Sequence, residues 1–265
     1  YYFTSRTFEA VKDKNYYITK TNDFMNRGTY YFDTDGKYWP NGKPVDPTPT
    51  PDPTPDPDRP MVALTFDDGP NTANTGRVLD LLEQYGARAT FFVLGANVTD
   101  ESAYLLQRMS DLGCEIGIHG WDHWQMPALR YNALVERFEN VKRVIDDSVE
   151  GGYVPKLMRP PGGLRDDNVR TAAKDCGLAV IMWSIDSRDW ELKNPPKILD
   201  LCKKNIKNGA IVLFHDKLPT TYTTVEQLIP WLIEQGYELV TVSELLESRG
   251  QPVEPGAEYS EKIFD

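Results

Sequence analysis

Between Met61 and Val242 short apolar runs alternate with segments of helical periodicity, and this alternation restricts the fold more than any other feature. The runs are Met61–Phe66, Ala89–Leu94, Cys114–Ile118, Leu157–Met158, Leu178–Ile185, Ala210–Phe214 and Tyr237–Val242. Between them, Val78/Leu81/Leu82/Tyr85, Leu134/Phe138/Val141/Ile145 and Val225/Leu228/Leu232 mark amphipathic helices. The last of these contains Pro230, which should kink it. Gly86, Gly113, Gly177, Gly209 and Gly236 each stand where a helix closes ahead of the next run. Repeated strand–helix units imply parallel strands joined by right-handed crossovers. Seven of them in about 190 residues predict an α/β fold, a distorted (β/α)7-type barrel rather than the full eight. Its strands read as continuous apolar runs, as strands covered on both faces should.

The rest of the chain is of different character. From Asp46 to Pro60 it is nearly all Pro, Thr and Asp, which enforces an extended, semi-rigid spacer. Residues 1–45 repeat Tyr1-Tyr2-Phe3, Tyr16-Tyr17-Ile18 and Tyr30-Tyr31-Phe32 at spacings of about 14–15 residues, with a turn signal at Asp33–Gly36. Short β-hairpins are expected there, packing on one another because a lone hairpin is marginal. Gly28–Trp39 resembles the aromatic–glycine repeats of choline- and glucan-binding cell-wall modules. The expected organisation is therefore a hairpin module over 1–45, a linker over 46–60, a catalytic domain over 61–248 and an aperiodic tail over 249–265, draped over the domain or partly disordered.

With 40% hydrophobic residues, the chain can bury one sizeable core plus an appendage. A net charge of -11 argues against nucleic acid and anionic membrane surfaces. No apolar run approaches the roughly 20 residues that span a bilayer. Cys114, Cys176 and Cys202 are too few and too scattered for a disulfide framework or a cysteine zinc site. The chain opens on Tyr1, so the lack of a leader carries no information about export. The Pro-Thr linker points to a secreted or cell-wall-associated protein, and a monomer is expected.

Parallel barrels place their chemistry at the C-terminal ends of the strands. Those ends give Asp67-Asp68, His119, Arg159, Asp186 and His215-Asp216, and all three histidines of the chain follow the ends of these runs. Adjacent carboxylates repel each other and lose hydration on burial, so a bound cation is their simplest compensation. His119 and His123 stand at i and i+4; on one helical turn both rings would face one side. With Asp67 or Asp68 they make a three-ligand set that leaves positions open for water and substrate.

These motifs resemble those of the polysaccharide deacetylases of the NodB-homology type, carbohydrate esterase family 4, from Met61 to about Glu247. Thr65-Phe66-Asp67-Asp68-Gly69 is similar to the first motif, which implies Asp67 as catalytic base and Asp68 as metal ligand. His119-Gly120-Trp121-Asp122-His123 matches the second, which implies two histidine ligands. Arg159-Pro160-Pro161-Gly162-Gly163 matches the third: Arg159 pairs with the base, and the Gly162 amide faces the oxyanion. Asp186-Ser187-Arg188-Asp189-Trp190 matches the fourth, implying a carboxylate, with Asp189 favoured, that orients the acid histidine, and a Trp190 wall. Leu213-Phe214-His215 matches the fifth, with His215 as acid and Leu213 against the acetyl methyl. Gly120 replaces the family's usual Ser or Thr, and Gly162 its usual aromatic, which opens one wall of the groove.

The resemblance implies one divalent metal, Zn2+ or Co2+ with Ni2+ or Mn2+ as further fits, and a polysaccharide substrate. The first reading is N-deacetylation of N-acetylglucosamine in peptidoglycan or chitin-like chains. The alternative is O-deacetylation of acetylated xylan. A non-catalytic sugar-binding protein with a structural metal gives Asp67, Arg159 and His215 no reason to accompany the ligands. Trp121, Trp124 and Trp183 fit packing roles as well as sugar stacking; Trp190 is the expected platform.

Overall fold

The computed structural model describes residues 59–259, together with the backbone of three short strands that precede them. Those strands, β1 (Lys14–Ile18), β2 (Gly28–Phe32) and β3 (Tyr38–Trp39), pair antiparallel in that order. Their register sets Tyr16 opposite Tyr30. The side chains of this segment, the linker up to residue 58 and residues 260–265 lie outside the described residues.

From Met61 the chain runs β4 (Met61–Gly69), α1 (Thr75–Tyr85), β5 (Thr90–Leu94), α2 (Ala103–Asp111), β6 (Glu115–Gly120) and α3 (Tyr131–Asp146). It continues through β7 (Leu157–Met158), α4 (Asp167–Asp175), β8 (Ala179–Ile181), β9 (Ile185–Asp186), α5 (Asp189–Leu192) and α6 (Pro195–Asn205). The last elements are β10 (Ala210–His215), α7 (Pro219–Glu234), β11 (Glu238–Leu239), α8 (Val242–Glu247) and β12 (Glu258–Tyr259). The strands form one parallel sheet in the order β12-β8-β7-β6-β5-β4-β10-β9, with β11 also paired to β4. Because β8 pairs with β7 while β9 pairs with β10, residues 182–184 bridge the sheet's two ends. The sheet is thereby curled into a half-barrel. The five glycines expected at helix ends all take positive φ.

Two strand predictions need correction. Leu178–Ile185 is not one strand but β8 and β9, broken at Met182–Ser184 where the chain crosses between the sheet's ends. The break is held by Ser184, whose N–H donates to Ile211 O at 3.0 Å and whose hydroxyl oxygen accepts from Ile211 N at 3.0 Å. Tyr237–Val242 also shortens to β11, because Thr241 caps α8. Its hydroxyl accepts from Glu244 N, and the Glu244 carboxylate accepts from Thr241 N at 2.8 Å. This capping box was legible as Thr-x-x-Glu.

Alternation along the strands divides the core in two. Val62, Leu64 and Phe66 of β4 pack outward under the helices, with Phe66 stacked on Phe91 and Phe214 at centroid separations of 5.1 and 5.9 Å. Met61 and Ala63 face inward with Phe92, Leu157, Ile181 and Ile211. Val242, Leu245 and Leu246 of α8 and Tyr259 of β12 join that inner cluster and close the barrel's N-terminal mouth. Burying each large aliphatic or aromatic side chain contributes about 1.5–3 kcal/mol. The inner positions beyond this apolar floor belong to the polar rim.

Candidate active site

The two-residue period of each strand aims the polar side chains. Thr65 and Asp67 continue the inward row begun by Met61 and Ala63, Arg159 follows inward Leu157, and Leu213 and His215 follow inward Ile211. Register then completes the convergence: His215 stands opposite Asp67, and Leu213 opposite Thr65. Asp67, Asp68, His119 and Arg159 are all buried, although a rim of charged groups ordinarily seeks water. Each therefore needs a partner.

Arg159 is fully buried and partners Asp67. Its Nη1 donates to Asp67 Oδ1 at 2.8 Å and to Thr65 Oγ1 at 2.7 Å. Its Nε and Nη2 donate to the carbonyls of Ile181 and Met182 at 3.1 and 3.0 Å, so one guanidinium also satisfies the break between β8 and β9. The cation lies 4.2 Å from the Phe92 ring centroid, which replaces part of its lost hydration.

Asp68, His119 and His123 form the second group. Oδ1 of Asp68 lies 3.5 Å from His119 Nε2 and 3.6 Å from His123 Nε2, while the two rings are 5.4 Å apart. No helical turn produces this pair, contrary to the spacing argument. His119 ends on β6, and the chain turns at Gly120, whose φ of 115° is the left-handed region that glycine tolerates. The loop then returns His123 half-exposed over the buried His119.

The donor set fits a divalent transition metal. His119 Nδ1 donates to Arg159 O at 2.7 Å, so the Nε2 lone pair is left facing Asp68. Burial pulls His119 below the usual histidine range despite the Asp67 and Asp68 charges, keeping the ring neutral, as a ligand must be. Asp68 Oδ1 is buried with no hydrogen-bond partner, and it points at both imidazoles. Burial opposes the Asp68 charge, but its surroundings, the hydrogen bond and charge of Lys217 among them, outweigh it and lower its pKa. The three side chains are a potential metal-holding cluster among the described residues.

Across the rim, His215 Nδ1 is 2.7 Å from Asp189 Oδ1, and His215 N donates to Asp189 Oδ2 at 2.7 Å. Asp189 is fully buried and also accepts from Thr221 Oγ1 at 2.5 Å and Trp190 N at 2.8 Å. It is Asp189, and not Asp186, that meets the histidine; Asp186 accepts from Arg188 N instead. Burial disfavours His215's charge, yet the Asp189 hydrogen bond and charge prevail, and its pKa is raised. Leu213 is buried, Trp190 is half-exposed on α5, and Gly162 is exposed between β7 and α4.

Sequence reasoning missed Lys217, Thr65, Asn97 and the buried state of Asp216. Lys217 Nζ pairs with Asp68 Oδ2 at 2.8 Å, leaving Oδ1 free toward the imidazoles. Asn97 Nδ2 donates to Asp68 O at 2.8 Å, which helps hold Asp68 at its φ of 73°. Asp216 is buried with Thr75 Oγ1 on Oδ2 at 2.5 Å. Lys217's proximity to His215 was the available signal, but nothing in the pattern tells a rim lysine from a solvated one.

The unit described from residue 59 to 259 is thus an α/β half-barrel whose C-terminal rim carries a carboxylate–imidazole cluster together with two buried ion pairs. The model of a family described as polysaccharide deacetylase matches residues 54–181. A peptidoglycan-N-acetylglucosamine deacetylase of Bacillus cereus is 38% identical over 213 residues, spanning 77% of this chain and 96% of that protein. The peptidoglycan-N-acetylglucosamine deacetylase PgdA of Listeria monocytogenes is 36% identical over 201 residues, 76% of this chain. The match spans only 41% of that relative's own length. A family 4 acetyl xylan esterase from Clostridium thermocellum, solved with a cobalt ion, superposes with a TM-score of 0.70 at 31% identity, covering 75% of this chain and 97% of that one. This chain belongs to the polysaccharide deacetylase family, carbohydrate esterase family 4.

Proposed function

We propose that the chain is a metal-dependent deacetylase that removes acetyl groups from N-acetylglucosamine units of peptidoglycan or chitin-like polymers. The observation that carries this reading is the division of one rim into an Asp68–His119–His123 set, an Asp67–Arg159 pair and a His215–Asp189 pair. A zinc or cobalt ion, with nickel or manganese as further fits, would be held by Asp68, His119 and His123 and would supply Lewis acidity and a water acidified toward about pH 7.

Asp67 is the group that takes the proton of the attacking water, with Arg159 fixing its carboxylate. The Gly162 N–H receives the charge developing on the acetyl oxygen. His215, whose raised pKa keeps it protonated, delivers a proton to the leaving nitrogen. An amine leaves poorly unless protonated, which suits a separate base and acid, each worth about 10²–10⁴-fold. Leu213 lies against the acetyl methyl and Trp190 walls the sugar site.

A second reading, acetylxylan O-deacetylation, is favoured by the likeness to the Clostridium thermocellum esterase. Residues 1–45, the 46–60 linker, the 61–248 catalytic domain and the 249–265 tail complete the reading as parts of a secreted or wall-associated monomer. The test is acetate release from N-acetylated chitooligosaccharides, peptidoglycan and acetylated xylan, using chelator-stripped protein with and without added zinc or cobalt. Metal-dependent release from the first two is the expected result. Failure on all three substrates overturns the enzyme reading, and release from xylan alone selects the second.

A further inference from the structure

Gly162 and Gly163 are successive glycines on the rim, both in the left-handed region. They take φ of 60° and 70°, and a Cβ added at Gly162 would meet only Leu164 Cγ, at 3.9 Å. Fixing two successive glycines costs more backbone entropy than fixing any other pair. Short turn bonds help: Gly163 N donates to Pro160 O at 2.9 Å, and Leu164 N to Pro161 O at 3.2 Å. Both close within the loop and tie it to nothing outside.

The outside tie is Arg165. Its Nη1 donates to Gly163 O at 2.9 Å, and its Nη2 pairs with Glu258 Oε1. The second Glu258 oxygen accepts from Arg170 Nε of α4 at 3.1 Å, so the carboxylate is anchored on both sides. Glu258 is itself placed by the sheet. Val180 N donates to Ala257 O and Met182 N to Tyr259 O, both at 2.8 Å. The Tyr259 ring is buried in the inner cluster, and its hydroxyl donates to Pro252 O at 2.7 Å. On its other side the loop is packed tightly: a Cβ at Gly163 would come within 2.9 Å of Met182 Cε and 3.0 Å of Trp183 Cη2. The C-terminal strand therefore grips the diglycine through one arginine.

We infer that Glu258 is a positioning residue: through Arg165 it fixes the Gly162–Gly163 loop so that the Gly162 N–H is held where the acetyl oxygen's charge develops. This rests on the reading of Gly162 as the oxyanion donor. A donor displaced by about 1 Å can cost up to 10²-fold in rate. Substrate binding elsewhere in the groove is untouched, so the loss falls on kcat.

The test uses the full chain as Glu258→Ala, Glu258→Gln, Arg165→Met and Glu258→Ala/Arg165→Met. Tyr259→Phe serves as a control that removes the hydroxyl's bond to Pro252 O while keeping the buried ring and the backbone pairing that place the Glu258 carboxylate. Backbone amide hydrogen exchange at Gly163 and Leu164, whose N–H groups close the turn, and acetate release are measured on each. Expected are exchange at least about 10-fold faster in this loop, kcat down about 10–100-fold with KM within twofold, and a double variant no worse than the singles. Tyr259→Phe should leave the loop's exchange unchanged. Should Glu258→Ala fail to fold, Glu258→Gln, which keeps the shape, carries the test. Unchanged loop exchange in a folded Glu258 variant overturns the inference, as does a rate loss that merely follows Tm across all variants including Tyr259→Phe. Should the wild-type protein release no acetate, the functional reading fails while the exchange measurement still decides the strap.

Discussion

Replacing Arg159 with methionine keeps much of the side chain's apolar bulk and removes four hydrogen bonds at once. The larger cost is electrostatic. Asp67 is almost wholly inside, and without the guanidinium its carboxylate is buried without its hydrogen-bonded countercharge. Breaking a buried pair in this way costs about 3–5 kcal/mol. The Ile181 and Met182 carbonyls at the strand break each lose a donor, worth about 1–3 kcal/mol apiece if water does not replace it. The sum is comparable with the whole stability of an ordinary domain, about 5–15 kcal/mol. Arg159→Met should therefore be barely folded at 25 °C. Asp67→Asn/Arg159→Met removes both charges and retains the loss of the donors to the two carbonyls and to Thr65 Oγ1. It should be more stable than the sum of the single changes by about 2–3 kcal/mol. Urea unfolding followed by tryptophan fluorescence, at pH 7 in chelator, measures all four corners of the cycle. An Arg159→Met loss under about 2 kcal/mol, or a coupling under about 0.5 kcal/mol, refutes the view that this pair holds the rim together. All three variants should also lose deacetylation.

Three further outcomes are expected. His119→Ala should emerge from dialysis without bound zinc by elemental analysis, whereas Asp67→Asn should keep its zinc and lose at least about 10²-fold in acetate release; zinc retention by His119→Ala counts against the ligand set. Asp189 raises the His215 pKa against the pull of burial, so Asp189→Asn should lower it, and the alkaline limb of the pH–rate profile should move to lower pH; an unmoved limb removes Asp189 from the acid's control. Burial, opposed by Thr75 and reinforced by the Asp68 and Asp67 carboxylates, pushes the Asp216 carboxyl up to about 7. Its folded pKa exceeds the unfolded value, so its stabilising share is full below about pH 4 and fades as pH rises through about 7, at about 1.4 kcal/mol per unit. In chelator, Asp216→Asn should raise Tm at pH 8 and change it little at pH 4; an equal shift at both pH values contradicts the burial argument.

The rim groups that a sequence can find are those carried on regular strands. Asp67, Arg159 and His215 were legible because a two-residue period, once anchored by apolar neighbours, fixes which side chains face inward. The capping box before α8 was equally local and equally legible, although the apolar run through Val242 masked it. His123 comes beside His119 and Asp68 by a turn at Gly120 rather than by the helical spacing that the sequence suggested. Lys217, on the loop after β10, joins Asp68 across the rim and left no periodic trace.

By itself, then, the sequence determined the parallel α/β class, the strand ends where chemistry gathers, and the residue types that gather there. Those properties are local, since they follow from periodicity and composition within a few residues of chain. The resemblance already implied Asp67 with Arg159, Asp68 with the two imidazoles and, as the favoured choice, Asp189 with His215. Only the tertiary structure supplied Lys217 as the second partner of Asp68, Thr221 as a further donor to Asp189 and the loop geometry that brings His123 over His119. It also decided that one apolar run would split between the two ends of the sheet, and that the tail would pair with β8 and grip the diglycine loop. The physical reason is closure. Curling a parallel sheet into a half-barrel brings together groups far apart in the chain, and which of them touch depends on register and curvature that no local pattern encodes.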